Sequence, residues 1–306
     1  MSAAHIPVML REVLDGLDVK PGGRYIDGTL GRAGHASGIV ARGGEVLGID
    51  RDDQALEEVA AKHIKGIKAV KGVHGDIAGI ANANGWEKAD GILLDLGVSS
   101  PQLDEAGRGF SFMHDGPLDM RMDRTHGVTA ADFVNSESAE RLEEVFREYG
   151  EEPQARRMAR AIVEERVPRP FRTTGDLARF AGRLLGYRGG KHPATRIFQA
   201  LRMAVNDETG ELERALEGGI GLLNPGGRFV VITFESITDR MVKRFFAAHV
   251  GRMESLQGGG ERWEGRQPRA RTIWRRAVKA TEEECAANPR ARSAKLRGIT
   301  LTGEEG

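Results

Sequence analysis

A glycine-rich turn with an acid before it is the segment of this chain best suited to chemistry. Glycines recur at Gly28, Gly31 and Gly34, directly after Asp27, and a second acid, Asp50, lies 22 residues beyond Gly28. A strand, a glycine turn that opens a helix, and an acid at the end of the next strand form the layout of a nucleotide-type cofactor site on a parallel sheet. The pattern predicts an enzyme that uses such a cofactor.

The spacing of the glycines argues against a dinucleotide. A pyrophosphate site needs G-x-G-x-x-G, whereas this turn reads G-x-x-G-x-x-G behind the anionic Asp27. S-adenosylmethionine carries an ammonium and a sulfonium and no phosphate, so Asp27 suits its amino-acid end, and Asp50 can accept both ribose hydroxyls. From this segment alone, an NAD-type dehydrogenase and a purely structural turn remain the alternatives.

A further acid, Asp95, lies in the apolar run at residues 91–96 and precedes a loop of Gly, Ser and Pro. An apolar strand would deliver this acid to the carboxyl edge of the sheet, where ligands of such sheets bind. Polar groups then converge beside the reactive end of the cofactor. We expect Asp95 to be catalytic.

The loop that follows mixes aromatic and acidic residues. Phe110 and Phe112 are suited to stacking on an extruded base, and Asp119 and Asp123 are suited to accepting its amino protons. Phenylalanines in such a loop are as commonly core residues, so the loop by itself leaves both interpretations open.

The elements that must position these residues alternate between strands and helices. Short apolar, β-branched runs occur at residues 24–27, 45–50, 68–73 and 91–96, separated by helical periodicity. We predict an α/β fold with a doubly wound parallel sheet. Residues 139–185 instead indicate several amphipathic helices rich in Arg and Glu, without strands.

The α/β alternation resumes later in the chain. A helical stretch at 194–223 with breaks at Gly210 and at Gly218 and Gly219 is predicted to lead, through a turn at 224–227, into a strand. The remaining predicted elements are that strand at 228–234, a helix at 236–249, a flexible link at Gly258 to Gly260, and closing strands at 272–278 and 295–301.

Composition limits the class of protein. The 306 residues carry 45 basic and 45 acidic side chains, so overall charge does not indicate a nucleic-acid partner. Basic residues are locally concentrated, with eleven against three acids in 156–196 and eleven against five in 261–297, which favours phosphate-binding surfaces or solvated helix faces. A single cysteine, Cys285, and no apparent signal or membrane segment favour the cytoplasm. No Cys/His spacing predicts a metal site.

Motifs along nearly the whole chain resemble the bacterial RsmH (MraW) family. They are HIPVML at 5–10, the turn at 27–35, the segment at 90–104, RGFSF at 108–112, DGPLDMRMD at 115–123, HPATR at 192–196, FQALR at 198–202 with VN at 205–206, and NPRARS at 288–293. The resemblance implies an S-adenosylmethionine-dependent methyltransferase that modifies the N4 amino group of a cytidine in the decoding centre of 16S ribosomal RNA. Free RNA and the assembled small subunit are both open as substrate, as are monomer and homodimer.

The resemblance also implies site residues and an architecture. The family's cofactor contacts correspond to Ala33, Gly34, His35, Asp50, Ile77, Asp95 and Gln102. Separately from the resemblance, we predict that Phe110, Phe112, Arg121 and Arg196 bind the substrate and that Asp95 is catalytic, with Asp119 and Asp123 as secondary candidates. The expected fold is a Rossmann-like class I methyltransferase sheet, residues 1–104 and 196–306, with an inserted α-helical RNA-recognition domain at 105–195. Two positions depart from the family: Ile77 stands where an aromatic is common, and Glu235 where histidine is usual.

The chemistry of the methyl acceptor distinguishes the remaining alternatives. Methylation at cytosine C5 needs a thiolate, and Cys285 lies far in sequence from every cofactor motif, so direct attack by an amino nitrogen fits better. A methyltransferase of another nucleic acid or a small molecule, and a non-catalytic RNA-binding assembly factor, are the rival functions.

Overall fold

The first elements of the chain alternate as the sequence predicts. The structure, a computed structural model, describes residues 7–187, 190, 192–255, 261–264 and 269–303. Helices and strands alternate up to Asp95 as α1 (Leu10–Leu17), β1 (Arg24–Asp27), α2 (Gly34–Ala41), β2 (Glu45–Asp50), α3 (Asp53–Lys62), β3 (Ile67–Lys71), α4 (Ile77–Ala83) and β4 (Ala89–Asp95). The predicted third and fourth strands are thus displaced by one or two residues.

Helices make up the regular structure of the middle of the chain. They are α5 (Ser100–Asp104), α6 (Ala130–Ser136), α7 (Ala139–Glu148), α8 (Ala155–Glu165), α9 (Thr174–Leu185) and α10 (Ala194–Val205). Local sequence explains their starts: Ser99, Thr129 and Thr173 form capping boxes with the third residue of the helix that follows. Their apolar faces enclose a core that includes Phe146, fully buried on α7.

The remaining elements complete the sheet. They are α11 (Glu208–Leu222), β5 (Leu223–Thr233), α12 (Ser236–Val250), β6 (Arg252–Ser255), β7 (Glu261–Glu264), β8 (Ala270–Thr272), β9 (Val278–Lys279), α13 (Glu282–Ala287) and β10 (Lys295–Leu301). The strands run in the order β3-β2-β1-β4-β5-β10-β8, with β9 also paired to β10, while β6 and β7 pair separately. Strands β1 to β5 are parallel and β10 is antiparallel to β5. The sheet is doubly wound, as predicted.

The chain divides into two compact units, which we call the sheet unit (Met1–Gly97 with Gly210–Gly306) and the helical unit (Val98–Thr209). The helical unit therefore begins before residue 105 and ends after residue 195. Helix α10 belongs to it because Ile197, Phe198 and Leu201 are buried in the same core as α7.

Three predicted local features differ from the structure. Gly218 and Gly219 lie inside α11, as does Gly210, and the interruption falls instead between α10 and α11 at residues 206–207. A Cβ on Gly219 would lie 2.8 Å from the Phe229 ring, so this glycine lets the helix approach the sheet rather than ending it. The predicted turn at 224–227 is an irregularity within β5, where the register with β4 shifts.

The predicted strand at 272–278 is also interrupted. Its two ends pair with different parts of β10, Thr272 with Ile299 and Val278 with Leu296. Between them Trp274 leaves the sheet edge and its indole packs so tightly against Gly16 that a Cβ there would lie 2.4 Å away. The predicted link at Gly258 to Gly260 lies outside the described residues.

Candidate active site

The glycine turn is built around the end of β1. Asp27 is 1% exposed, and its Oδ1 accepts the backbone N–H of Thr29 at 3.1 Å. Ala33 is the N-cap of α2 and lies in the left-handed region, with φ 61°. A Cβ on Gly34 would lie 3.0 Å from Pro7, so any larger residue would make a tight contact where the turn passes this proline. The turn thereby places Asp27 and the start of α2 at the carboxyl edge of the sheet.

Asp50 holds the turn from the end of β2. Its Oδ2 accepts the Gly31 N–H at 2.7 Å and its Oδ1 accepts the Asp52 N–H at 2.9 Å. Burial raises the pKa of Asp50, and these N–H groups act in the opposite direction. Each carboxylate oxygen keeps a second acceptor site, which suits the predicted contact with a ribose.

Asp95 ends β4 beside the turn. Its backbone N–H donates to the Thr29 hydroxyl at 2.6 Å, which ties β4 to β1. The side chain is 25% exposed, yet its Oδ1 is buried and has no hydrogen-bond partner among the described residues. Burial raises the pKa of Asp95 to about 7. This oxygen is an acceptor available to a ligand.

His35 lies between the acids and the N-terminal segment. Its Nε2 is 2.9 Å from the Val8 carbonyl, and because a carbonyl only accepts, Nε2 carries the proton. Its Nδ1 lies 3.7 Å from Asp95 Oδ2. Burial lowers the pKa of His35, which keeps the imidazole neutral at pH 7.

The electrostatics of this cluster favour a cationic ligand. Burial raises the pKa of Asp27 to about 6; Asp95 and Asp50 also raise it, against His35 and the Thr29 N–H. Asp95 thus lies close enough to Asp27 to disfavour the negative charge of Asp27. A ligand with positive charge would restore both carboxylates to their ionised form. The ammonium and sulfonium of S-adenosylmethionine fit this requirement.

The end of β3 offers an apolar and a polar group. Ile77 is 0% exposed, and its Cδ1 would lie 3.7 Å from a Cβ on Gly28, so its side chain packs in the core as the structure stands. Burial lowers the pKa of His74 to about 3, and Nε2 of this neutral ring has no partner in the described part of the chain. The predicted adenine contact at Ile77 stays a prediction.

The helical unit holds the other predicted site residues. Gln102 is buried, and its Oε1 accepts the Ser99 N–H at 2.9 Å in the capping box of α5. Phe110 is 6% exposed and belongs to the core. Phe112 is partly buried, with its ring centroid 4.7 Å from that of His192, and is the more accessible of the two phenylalanines.

The secondary catalytic candidates differ in their surroundings. Asp119 forms a bidentate pair with Arg121, at 2.7 Å to Nε and 3.0 Å to Nη2. Hydrogen bonds and charge from this guanidinium outweigh burial and lower the pKa of Asp119. Asp123, the other secondary candidate, accepts the Thr125 N–H at 2.9 Å. Arg196, predicted to bind substrate, has a side chain that is 53% exposed, with Nη1 3.9 Å from Glu152. Asp119 and Arg121 therefore neutralise each other.

Sequence reasoning missed two residues whose side chains accept backbone N–H groups around the site. Thr29 joins β1 to β4, and its position two residues after Asp27 is the sequence signal for the turn that it makes. Glu284 is next to Cys285, far in sequence from the cofactor motifs. Its side chain accepts the Met9 N–H at 2.6 Å, and its charge raises the pKa of His35. No local sequence pattern predicts this contact between residues so far apart in the chain.

The described residues provide neither a membrane-spanning helix nor a metal site. In the residues that the structure describes, no helix is long and apolar enough to cross a membrane. The same residues contain no group of three or more His, Cys, Asp or Glu side chains arranged to hold a metal ion.

The fold and the site together define a class I S-adenosylmethionine-dependent methyltransferase. Its doubly wound sheet has the antiparallel strand β10 beside β5, and acids lie at the carboxyl ends of β1, β2 and β4, around the point where the strand order reverses. Residues 2–302 match the sequence model of the MraW methylase family.

Curated relatives agree with this match. A protein named ribosomal RNA small subunit methyltransferase H from Symbiobacterium thermophilum is 45% identical, over 100% of this chain and 99% of that protein. Proteins of the same name from Pelobacter propionicus and Shewanella denitrificans are 47% and 44% identical, each over 96% of this chain and over 97% and 96% of their own lengths. The chain belongs to the MraW methylase family, whose members methylate small-subunit ribosomal RNA with S-adenosylmethionine.

Proposed function

We propose that this protein transfers a methyl group to the N4 amino group of a cytidine in the decoding centre of bacterial 16S ribosomal RNA. The observation that carries the proposal is the buried, unpartnered Oδ1 of Asp95 at the end of β4. Exocyclic amino groups donate hydrogen bonds, and this oxygen can accept one. The reaction belongs to the cytoplasm, where bacterial subunits are assembled.

The sheet unit would hold the cofactor. Asp27 would face its ammonium, Asp50 its ribose, and the start of α2 from Ala33 to His35 its amino-acid end. When bound, S-adenosylmethionine supplies an electrophilic methyl group. The task of the protein is then to position the acceptor nitrogen in line behind that methyl.

Asp95 would activate the acceptor. The N4 lone pair of cytosine is delocalised into the ring, and a hydrogen bond from the amino group to a carboxylate favours its localisation on nitrogen. The Asp95 carboxylate, which the cationic cofactor would keep ionised, can also take up the proton that leaves N4 after methylation. Asp95 suits this role better than Asp119, whose negative charge is engaged by Arg121.

The helical unit would bind the RNA. The decoding-centre base must leave its stack to be methylated, and Phe112 is better exposed than Phe110 to stack on it. Asp123 would contact the same nucleotide, while the Asp119–Arg121 pair would hold the loop in shape. Arg196, on α10, would contact phosphate.

Labelled S-adenosylmethionine tests the proposal. The protein is incubated with free small-subunit RNA or with assembled subunits, and the RNA is digested to nucleosides. We expect label on cytosine N4, and label on a ring carbon or a ribose would overturn the proposed chemistry. No transfer to either substrate would favour a non-catalytic assembly factor.

A pair of variants tests the role of Asp95. Asp95→Asn should reduce the rate of methyl transfer about 100-fold or more, because the amide cannot take up the N4 proton. The matched control is Asp53→Asn, which removes a half-exposed acid paired with Lys71 at 2.7 Å and should leave the rate unchanged. Full activity of Asp95→Asn with normal cofactor binding would exclude Asp95 as the acceptor.

A further inference from the structure

Three arginines line a surface groove at the start of α8 in the helical unit. Arg156, Arg157 and Arg160 are all exposed, and the groove has a volume of about 590 Å³. Its other lining residues are Pro153, Gln154, Ala161 and Glu164. No described residue of the cofactor site belongs to it.

Within the part of the chain that the structure describes, the arginines of this groove lack the acidic partners that other arginines of the unit have. Arg141 pairs with Glu144 at 2.6 Å, Arg147 with Glu143 at 3.2 Å, and Arg179 with Asp176 at 2.9 Å. Among the residues described, Arg156, Arg157 and Arg160 form no ion pair. Arg157 donates instead to the neutral Gln154 Oε1 at 3.0 Å.

The position of these arginines on α8 is electrostatically unfavourable in the free protein. They lie in the first two turns of the helix, where the helix dipole favours negative charge, and the first turn contains no acid. Residues 156 and 160 are also one turn apart, so their like charges repel. The opposite face of α8 is buried through Ala155, Met158, Ala159 and Ile162, so packing does not require the arginines. An anion in the groove would relieve both effects.

We infer that this groove binds the phosphodiester backbone of the substrate RNA, outside the site of methyl transfer. The inference rests on the proposed RNA substrate. Guanidinium groups bind phosphate oxygens in bidentate fashion. Arg196 lies near this groove, because its Nη1 is 3.9 Å from Glu152, which directly precedes the groove residue Pro153.

A triple variant tests the groove in the full-length protein. Arg156→Gln, Arg157→Gln and Arg160→Gln together should raise the KM for small-subunit RNA about tenfold at low salt, with kcat and the affinity for S-adenosylmethionine unchanged. The plot of log Kd for RNA against log salt concentration should become shallower by about 2, since each lost contact with a single-strand phosphate removes about 0.7 from the slope.

Two further variants distinguish a specific groove from general charge or misfolding. Replacing the exposed Lys65, Lys68 and Lys243 of the sheet unit by Gln removes the same charge and should leave the slope unchanged. Replacing the three arginines by Lys should retain most of the slope, and circular dichroism should show native helix content in every variant.

The outcomes separate this inference from the proposed function. Unchanged RNA affinity and slope in the Gln variant, with methyl transfer intact, would overturn the groove and leave the function standing. An equal loss in the sheet-unit control would overturn it as well, because total charge would then explain the effect. A wild-type protein that neither binds nor methylates small-subunit RNA would overturn both.

Discussion

At the scale of single residues, the cofactor site places carboxyl groups where the free protein disfavours their charge. Asp27 and Asp95 have pKa values raised to about 6 and about 7, both chiefly through burial. The folded protein therefore binds more protons than the unfolded chain between the ordinary pKa near 3.8 and these values. Below this window the two acids are neutral in both states, and above it their ionisation reduces the free energy of unfolding.

The stability of Asp95→Asn should reveal this effect. Because the amide does not ionise, we expect the free variant to melt several degrees above the wild type at pH 8 and close to it at pH 4. Differential scanning calorimetry across this range is the measurement. A variant equally or less stable at pH 8 would contradict the raised pKa of Asp95.

The affinity for the cofactor should also depend on the ionisation of these acids, and therefore on pH. S-adenosylmethionine has a sulfonium charge that S-adenosylhomocysteine lacks, so preference for the charged molecule should increase as pH rises from 5 to 8 and the acids ionise. Titration calorimetry with both molecules measures the ratio of dissociation constants. Asp27→Asn should bind both more weakly and show a smaller change of the ratio with pH, and a pH-independent wild-type ratio would contradict this account.

The sequence predicted part of this site for a clear reason. Asp27, Asp50 and Asp95 each end a parallel strand, and strand ends of a parallel sheet meet at one edge. Within the loop that lacks periodicity, side-chain direction depends on tertiary packing. The burial of Phe110 and the pairing of Asp119 with Arg121 could not be predicted for that reason.

At the scale of elements, glycines set the distance between the glycine turn and the sheet. Gly48 lies within β2, and a Cβ on it would lie 2.5 Å from Leu30 in the turn. Leu30 also donates its N–H to the Ile49 carbonyl at 2.9 Å. The lack of a side chain at Gly48 thus allows Leu30 of the turn to pack closely against β2.

Gly48→Ala should displace the turn. Overpacking of this kind costs about 1–3 kcal/mol of stability, and the shift of Leu30 should weaken cofactor binding as well. Gly221→Ala is the matched control, because a Cβ there meets nothing within 4 Å on α11 and should stabilise the protein by about 0.5–1 kcal/mol. Urea unfolding and cofactor titration measure both, and a neutral Gly48→Ala would contradict the close fit.

The elements themselves were predictable wherever periodicity was continuous. Strands β1 and β2 agree with the sequence residue for residue, because apolar runs bounded by turn residues define them. The interior of α11 was misjudged, since glycines that permit close packing look the same in sequence as glycines that end a helix.

At the scale of the whole molecule, separate cores serve the two units. Phe146→Ala removes a fully buried ring from the core of the helical unit and should cost about 3–5 kcal/mol there. Because Asp27, Asp50 and Asp95 belong to the sheet unit, this variant should retain cofactor binding while it loses RNA binding. Calorimetry and filter binding test this, and parallel loss of both activities would contradict separate cores.

The order of synthesis matters for a sheet whose central strands are separated by an inserted unit. Strands β4 and β5 pair in parallel, yet Asp95 and its partner Ile232 are separated by the entire helical unit. As the chain leaves the ribosome, β4 is complete before β5, the strand that will pair with its edge, has been synthesised. The helical unit, rich in local contacts, can fold during this interval, and the long-range pairing of β4 with β5 must follow it. Newly made chains therefore pass through a stage with an uncovered central strand, which is when chaperone contact or aggregation is most favoured.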